Sequence, residues 1–189
     1  MTAAIASGTE TIWNHARERY SSEKIYAFVL TTWSDASSIG ASVGTVENYD
    51  RLYKEHRYSI PNSRAAAGLK WGWNEWHERE LISGASGFHD ADQLLDQFRN
   101  GASGAPRSLT DQFRPWFSDY RKLVTSAMYD ALKLVARTGL FETCSSMPVL
   151  VYLGVYDDDG KITLNSAKTL NSKATWNLYE AEFRRAFGF

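Results

Sequence analysis

The chain is poor in the residues that most often announce a function. Of 189 residues one is cysteine, four are histidine, four are proline and three are methionine. A lone Cys144 excludes an internal disulfide and suits a reducing compartment. The histidines His15, His56, His77 and His89 are scattered, and His77-Glu78-Arg79-Glu80 lacks the second histidine four residues on that a zinc-binding helix needs. No metal and no cofactor are expected. An excess of charge of either sign is also missing: 21 Lys and Arg stand against 22 Asp and Glu, a formal net charge of -1. Without a global positive field, nucleic acid is not an expected partner. The longest apolar run, Met147 to Tyr156, falls well short of the roughly 20 residues a membrane helix requires, so no membrane span is expected. The opening Met1-Thr2-Ala3-Ala4-Ile5-Ala6-Ser7 has neither a basic n-region nor an apolar h-region, and reads as a cytoplasmic N-terminus.

What the chain does have is aromatic residues and ordinary globular proportions: 43% hydrophobic, 14% aromatic, 23% charged. A chain this long buries roughly 70% of its unfolded surface without staples, so one self-sufficient domain over residues 1–189 is expected. Three of the seven tryptophans fall in Lys70-Trp71-Gly72-Trp73-Asn74-Glu75-Trp76-His77. Each indole brings a large apolar area and one N–H that needs an acceptor, so the segment is either swallowed by a core or presented for contact. Packing is the heavier reading, with Glu75 accepting indole or backbone N–H groups.

Periodicity outlines the elements. Ile12, Trp13, Ala16 and Tyr20 recur at helical spacing from Thr9 to about Ser21. Lys24 to Trp33 is apolar at nearly every position, as a strand covered on both faces would be. Ser34 to Gly44 reads as a Ser, Gly and Ala loop, and Thr45 is placed to cap a helix carrying Tyr49, Leu52, Tyr53 and His56, closed by Pro61-Asn62-Ser63. Ala65 to Trp73 suits a strand, with Trp71 and Trp73 on one face. Asp90 to Phe98 suits a short helix before the loop Asn100 to Pro106. The strongest helical stripe runs from Tyr120 to Val135, with Pro115 near its start and Gly139 as its stop. Pro148 to Tyr156 is a second buried strand, Asp157-Asp158-Asp159-Gly160 a turn, and Ile162 with Leu164 a short return strand. Trp176, Tyr179, Phe183 and Phe187 share one face of a last helix. The sum is an α+β (mixed α/β) fold, its small central sheet built near Ile25, Leu69 and Leu150 and surrounded by helices.

Three motifs fail on register. With Gly160 at the sixth position of a calcium loop, Val155 and Ser166 would fall where carboxylates are required. Gly40-Ala41-Ser42-Val43-Gly44-Thr45 precedes a helix but has neither a Walker lysine nor G-x-G-x-x-G spacing. Cys144 has no histidine near it in sequence to make it a thiolate. Lys70, His77 and Arg79 interleave with the tryptophans as in a stacking surface for single strands, but Glu75, Glu78 and Glu80 cancel their charge.

The strand Ile25-Tyr26-Ala27-Phe28-Val29-Leu30, the Thr45-led helix, Trp71-x-x-x-Glu75-Trp76, the exit Gly139-Leu140-Phe141 and the strand Val149 to Asp157 together resemble the DUF4303 family, mostly bacterial proteins of similar length. The resemblance spans nearly the whole chain. It departs at Gly72-Trp73-Asn74, where the family tends to a Ser-Pro type turn, and at Gly44, where an Asn often precedes the Thr. By analogy with small families of this kind, the resemblance implies an immunity protein that binds and neutralises a toxin domain. Such a role needs a rigid scaffold with aromatic anchors and charged groups, not a catalytic residue. The candidate contact surface is Trp71, Trp73, Glu75, Trp76 and His77, with Asp157, Asp158 and Asp159 as a separate acidic prospect against a basic partner. The alternative is an enzyme in which Glu75 or Asp157, shielded by aromatic neighbours, acts as general acid or base. A homo-oligomer is left open.

Overall fold

The apolar run expected to form a central strand does so: β1 (Ile25–Thr32) is the middle strand of a three-stranded mixed sheet in a computed structural model that describes residues 1–55, 63–73, 76, 86–101, 115–142, 147–156 and 160–189. β2 (Ile39–Thr45) pairs with β1 antiparallel and β3 (Leu150–Val155) pairs with it parallel. The Ser34 to Gly44 loop is therefore corrected, its second half being β2. Ile39, Ala41 and Val43 alternate with Gly40, Ser42 and Gly44, so the strand carries too little apolar mass to stand out by composition.

Helices cover both faces. On one lie α1 (Thr2–Arg19), which starts earlier than Thr9, α4 (His89–Gly101) and α5 (Pro115–Arg137); on the other lie α3 (Arg64–Trp71) and α7 (Lys173–Phe187). α2 (Val46–Glu55) follows β2 and is capped as expected, Asn48 N donating to Thr45 Oγ1 at 3.2 Å. α5 begins at Pro115 and ends before Gly139, whose φ of 74° is the left-handed turn the sequence forecast. α4 runs on through Gly101, so the forecast loop keeps only residues 102–106, which lie outside the described residues.

Two further strand expectations are corrected. Ala65 to Trp71 is helical, within α3: Ser63 Oγ accepts from Ala66 N, and Ala65-Ala66-Ala67 favours a helix over the alternation that Trp71 and Trp73 suggested. The strand expected near Leu69 is thus absent from the sheet and β2 takes its place. Ile162 and Leu164 belong to α6 (Lys161–Leu170), not to a return strand. Its buried residues are Thr163, Ser166 and Ala167, so polar side chains occupy the inward stripe and disguise the helical period.

That polar stripe has a purpose at the sheet's edge. Leu153 N donates to Ser166 Oγ at 2.9 Å and Val151 N to Asn171 Oδ1 at 2.9 Å, while Asn171 Nδ2 returns a bond to Val151 O at 2.7 Å. Two N–H groups and one carbonyl on the free side of β3 are thus bonded by side chains where a fourth strand would pair.

Candidate functional site

Trp71 ends α3, Trp73 follows one residue later, and Trp76 N donates to Trp73 O at 3.4 Å, so the three indoles sit on one short bend. All face inward, with exposures of 0%, 6% and 2%. They pack on the sheet face that carries Tyr26, Val29, Leu150 and Tyr152 and are closed over by Trp176, Tyr179 and Phe183 of α7. The packing reading of these tryptophans is what the geometry shows. Glu75, His77, Asp157, Asp158 and Asp159 lie outside the described residues, as does Cys144.

The bend is held by directed bonds. A bulge in β1, between Ile25 and Ala27, puts Tyr26 and Ala27 on the same face and aims the Tyr26 hydroxyl at α3. The Lys70 carbonyl accepts from both Tyr26 Oη and Trp76 Nε1, the latter at 3.1 Å, and the Trp71 carbonyl accepts from Tyr152 Oη at 2.8 Å. Gly44 leaves the room for these rings, since a Cβ there would stand 2.8 Å from Tyr26 and 2.9 Å from Trp76.

Lys70 Nζ sits 2.7 Å from Glu182 Oε2 of α7, with the ring centres of Trp71, Tyr49 and Tyr26 at 5.3, 5.6 and 5.7 Å. Burial pushes the Tyr26 and Tyr152 hydroxyls well above the usual phenol value; Tyr179 rises to about 12 through burial and the neighbouring Glu182, and Tyr49 rises for the same two reasons. All four phenols thus stay neutral, so three of them donate to backbone carbonyls and the rings around Lys70 offer it uncharged faces. Among the described residues Trp71 Nε1 is buried without an acceptor, with the rings of Tyr26 and Tyr179 each 5.2 Å from the indole.

Among the described residues three aromatic side chains are exposed, Trp33, Phe98 and Phe189, and the first of them stands at the end of the sheet. Trp33, the first residue beyond β1, is 48% exposed and lies flat against Tyr156, the first residue beyond β3, at 4.4 Å and 9° between planes. Tyr156 in turn meets the edge of Trp73 at 4.6 Å, and Trp73 rests on Gly154, where a Cβ would come within 2.4 Å of its indole. The exposed ring is therefore backed by a continuous stack into the core. Sequence reading passed over this pair because each residue looked like the end of a buried strand. The signal was parity: parallel register sets Thr32 beside Val155, which makes Trp33 and Tyr156 neighbours.

Clefts open elsewhere among the described residues. One of about 450 Å³ lies where β3 begins, between Phe141, Met147, Val149 and Ser172; another of about 560 Å³ lies between α5 and α6, lined by Tyr129, Asp130, Lys161 and Asn165 among others. Among the described residues no three His, Cys, Asp or Glu side chains gather as a metal site, and no helix is long and apolar enough to cross a membrane.

Comparison with curated proteins and with solved structures gives no match to this chain. A family model does match: the domain of unknown function DUF4303, over residues 1–172. Since that match covers nearly all of the 189 residues, and the strand, cap and tryptophan bend that carry the resemblance sit in one fold, the chain belongs to the DUF4303 family.

Proposed function

We propose that the chain is a non-catalytic protein-binding module of the bacterial cytoplasm, and that it serves as an immunity protein for a cognate toxin. Trp33 carries the reading. It is a large aromatic side chain half in solvent, held flat on Tyr156 and backed by Trp73, so docking on it costs little side-chain ordering. Trp73 backs that anchor through Tyr156, while Trp71 and Trp76 lie inside the core. Asp157, Asp158 and Asp159 follow Tyr156 directly in sequence, within about 11 Å of chain reach, and suit a basic partner beside the anchor.

The test is a pull-down with the products of neighbouring genes from the source genome. One-to-one binding of a toxic polypeptide is expected, and Trp33→Ala should weaken it at least tenfold, as for an aromatic hot spot worth about 2 kcal/mol, while leaving the melting temperature unchanged. Turnover of a small molecule by the isolated chain, with no such partner, would refute the proposal.

A further inference from the structure

A guanidinium taken partly out of water normally has a carboxylate beside it, because an uncompensated buried charge is costly. Arg121, half-buried near the start of α5, has none among the described residues. Its Nη2 donates to the Tyr156 carbonyl at 3.3 Å, and its Nε is shielded from solvent with no acceptor. An orphaned charged donor of this kind calls for an explanation.

Its surroundings supply one. Arg121 is bonded to the residue on which Trp33 is stacked, at the carboxyl ends of two adjacent parallel strands. The turn beside it is strained: Ala36 is buried with φ at 51°, a conformation uncommon for a side chain other than glycine. The turn is held there by Ala36 N donating to Trp33 O at 2.9 Å and by the Tyr120 hydroxyl donating to Ala36 O at 3.0 Å. Strain kept up by the surrounding structure gathers at sites that bind or switch. An exposed π-face, a guanidinium with no carboxylate beside it among the described residues and a strained turn thus meet at one end of the sheet.

We infer that Arg121 and the Trp33–Tyr156 stack form a site for a small molecule with a planar ring and one oxyanion. The ring lies against Trp33 and the oxyanion takes guanidinium donors of Arg121 other than the shielded Nε, at a group whose planar fork suits a carboxylate or phosphate. The three carboxylates that follow Tyr156 in sequence set a charge limit, favouring one oxyanion over a polyphosphate. A nucleoside monophosphate and an aromatic carboxylate share this chemistry. The inference extends the use of Trp33 from a partner's surface to a small ligand. It is tested on the chain alone, so its failure leaves the protein-contact reading standing.

The full chain is titrated with AMP and with benzoate, followed by ligand-observed NMR and calorimetry, with adenosine, benzamide and inorganic phosphate as controls. One of the two anionic ring compounds should bind at least tenfold more tightly than its neutral counterpart and than phosphate, and the one that binds identifies the oxyanion. ATP should bind less tightly than AMP. Arg121→Gln and Trp33→Ala should each weaken binding at least tenfold without shifting the melting temperature, and Arg121→Lys should keep part of it. If Arg121→Gln fails to fold, Arg121→Lys and Trp33→Ala decide. Absence of binding by both anionic probes at millimolar concentration, equal binding of the neutral analogues or of phosphate, or variants that bind like the parent would each overturn the inference.

Discussion

On one face of the sheet α1 and α5 press Ile5, Ile12, Val124, Met128 and Leu132 against Phe28 and Leu30; on the other α3 and α7 press Trp71, Tyr179 and Phe183 against Tyr26, Val29 and Tyr152. The first face depends mostly on aliphatic area, at about 1.5–3 kcal/mol for each fully buried large side chain. Among the described residues two long-range hydroxyl or indole bonds to backbone carbonyls accompany it, Trp13 Nε1 to Leu140 O at 3.0 Å and Tyr120 Oη to Ala36 O. The second shows four among those residues, from Tyr26, Trp76, Tyr152 and Tyr179, three of which end on Lys70 or Trp71. The difference follows from helix length. α5 has 23 residues and stays helical against any greasy surface, whereas α3 has eight and is too short to hold its own geometry. Directed bonds do for α3 what length does for α5.

The most drastic way to break the contrast is Trp71→Ala, which empties the centre of the aromatic face. A loss of about 3–5 kcal/mol in urea unfolding is expected, at or above that of Met128→Ala at about 2–5 kcal/mol on the aliphatic face. Next is Gly154→Ala, which drives a methyl group into the Trp73 indole and should cost about 1–3 kcal/mol. It should also loosen the Trp33–Tyr156 stack, visible as a change in aromatic circular dichroism.

A finer comparison sets two hydroxyl deletions side by side. Tyr152→Phe removes the side-chain donor to the Trp71 carbonyl and should cost about 1–3 kcal/mol, whereas Tyr26→Phe leaves Lys70 O with Trp76 Nε1 and should cost about 0.5–1.5 kcal/mol. Equal losses would show that the bonds do not position α3 as described.

The gentlest probe is pH. The Tyr179 phenol is raised from 10.0 to about 12 in the fold, so its contribution is fully present below pH 10 and is lost as pH rises through about 12. Tyr26 and Tyr152, also raised by burial, act in the same direction. Stability should fall from about pH 10 upward, and Tyr179→Phe should flatten part of that slope in alkaline denaturation curves.

How much of this was legible in the sequence depends on whether the inward residues were apolar. β1, β3, α5 and α7 show their buried positions as runs or stripes of large hydrophobic residues and were read close to their observed bounds. β2 and α6 were missed because their inward positions are small or polar: Gly44 makes room for two rings, and Ser166 completes a strand edge. α3 was misread because two tryptophans one residue apart mimic strand alternation, while the local signals, Ser63 and three alanines, pointed to a helix. For the candidate site, the tryptophan bend was found and its burial was the heavier reading. The exposed pair was not found because Trp33 and Tyr156 become neighbours only through the parallel register of β1 and β3, nor was Arg121, which α5 brings to Tyr156 from 35 residues away.

The sealed flank of β3 has a consequence for how this molecule can associate. With the outward N–H groups of Val151 and Leu153 already bound to Asn171 and Ser166, a peptide cannot lie along that border and prolong the ladder without first prising α6 away. Templated growth through β3 is blocked, and recognition on that border must proceed by side-chain shape and charge rather than by shared main-chain bonding.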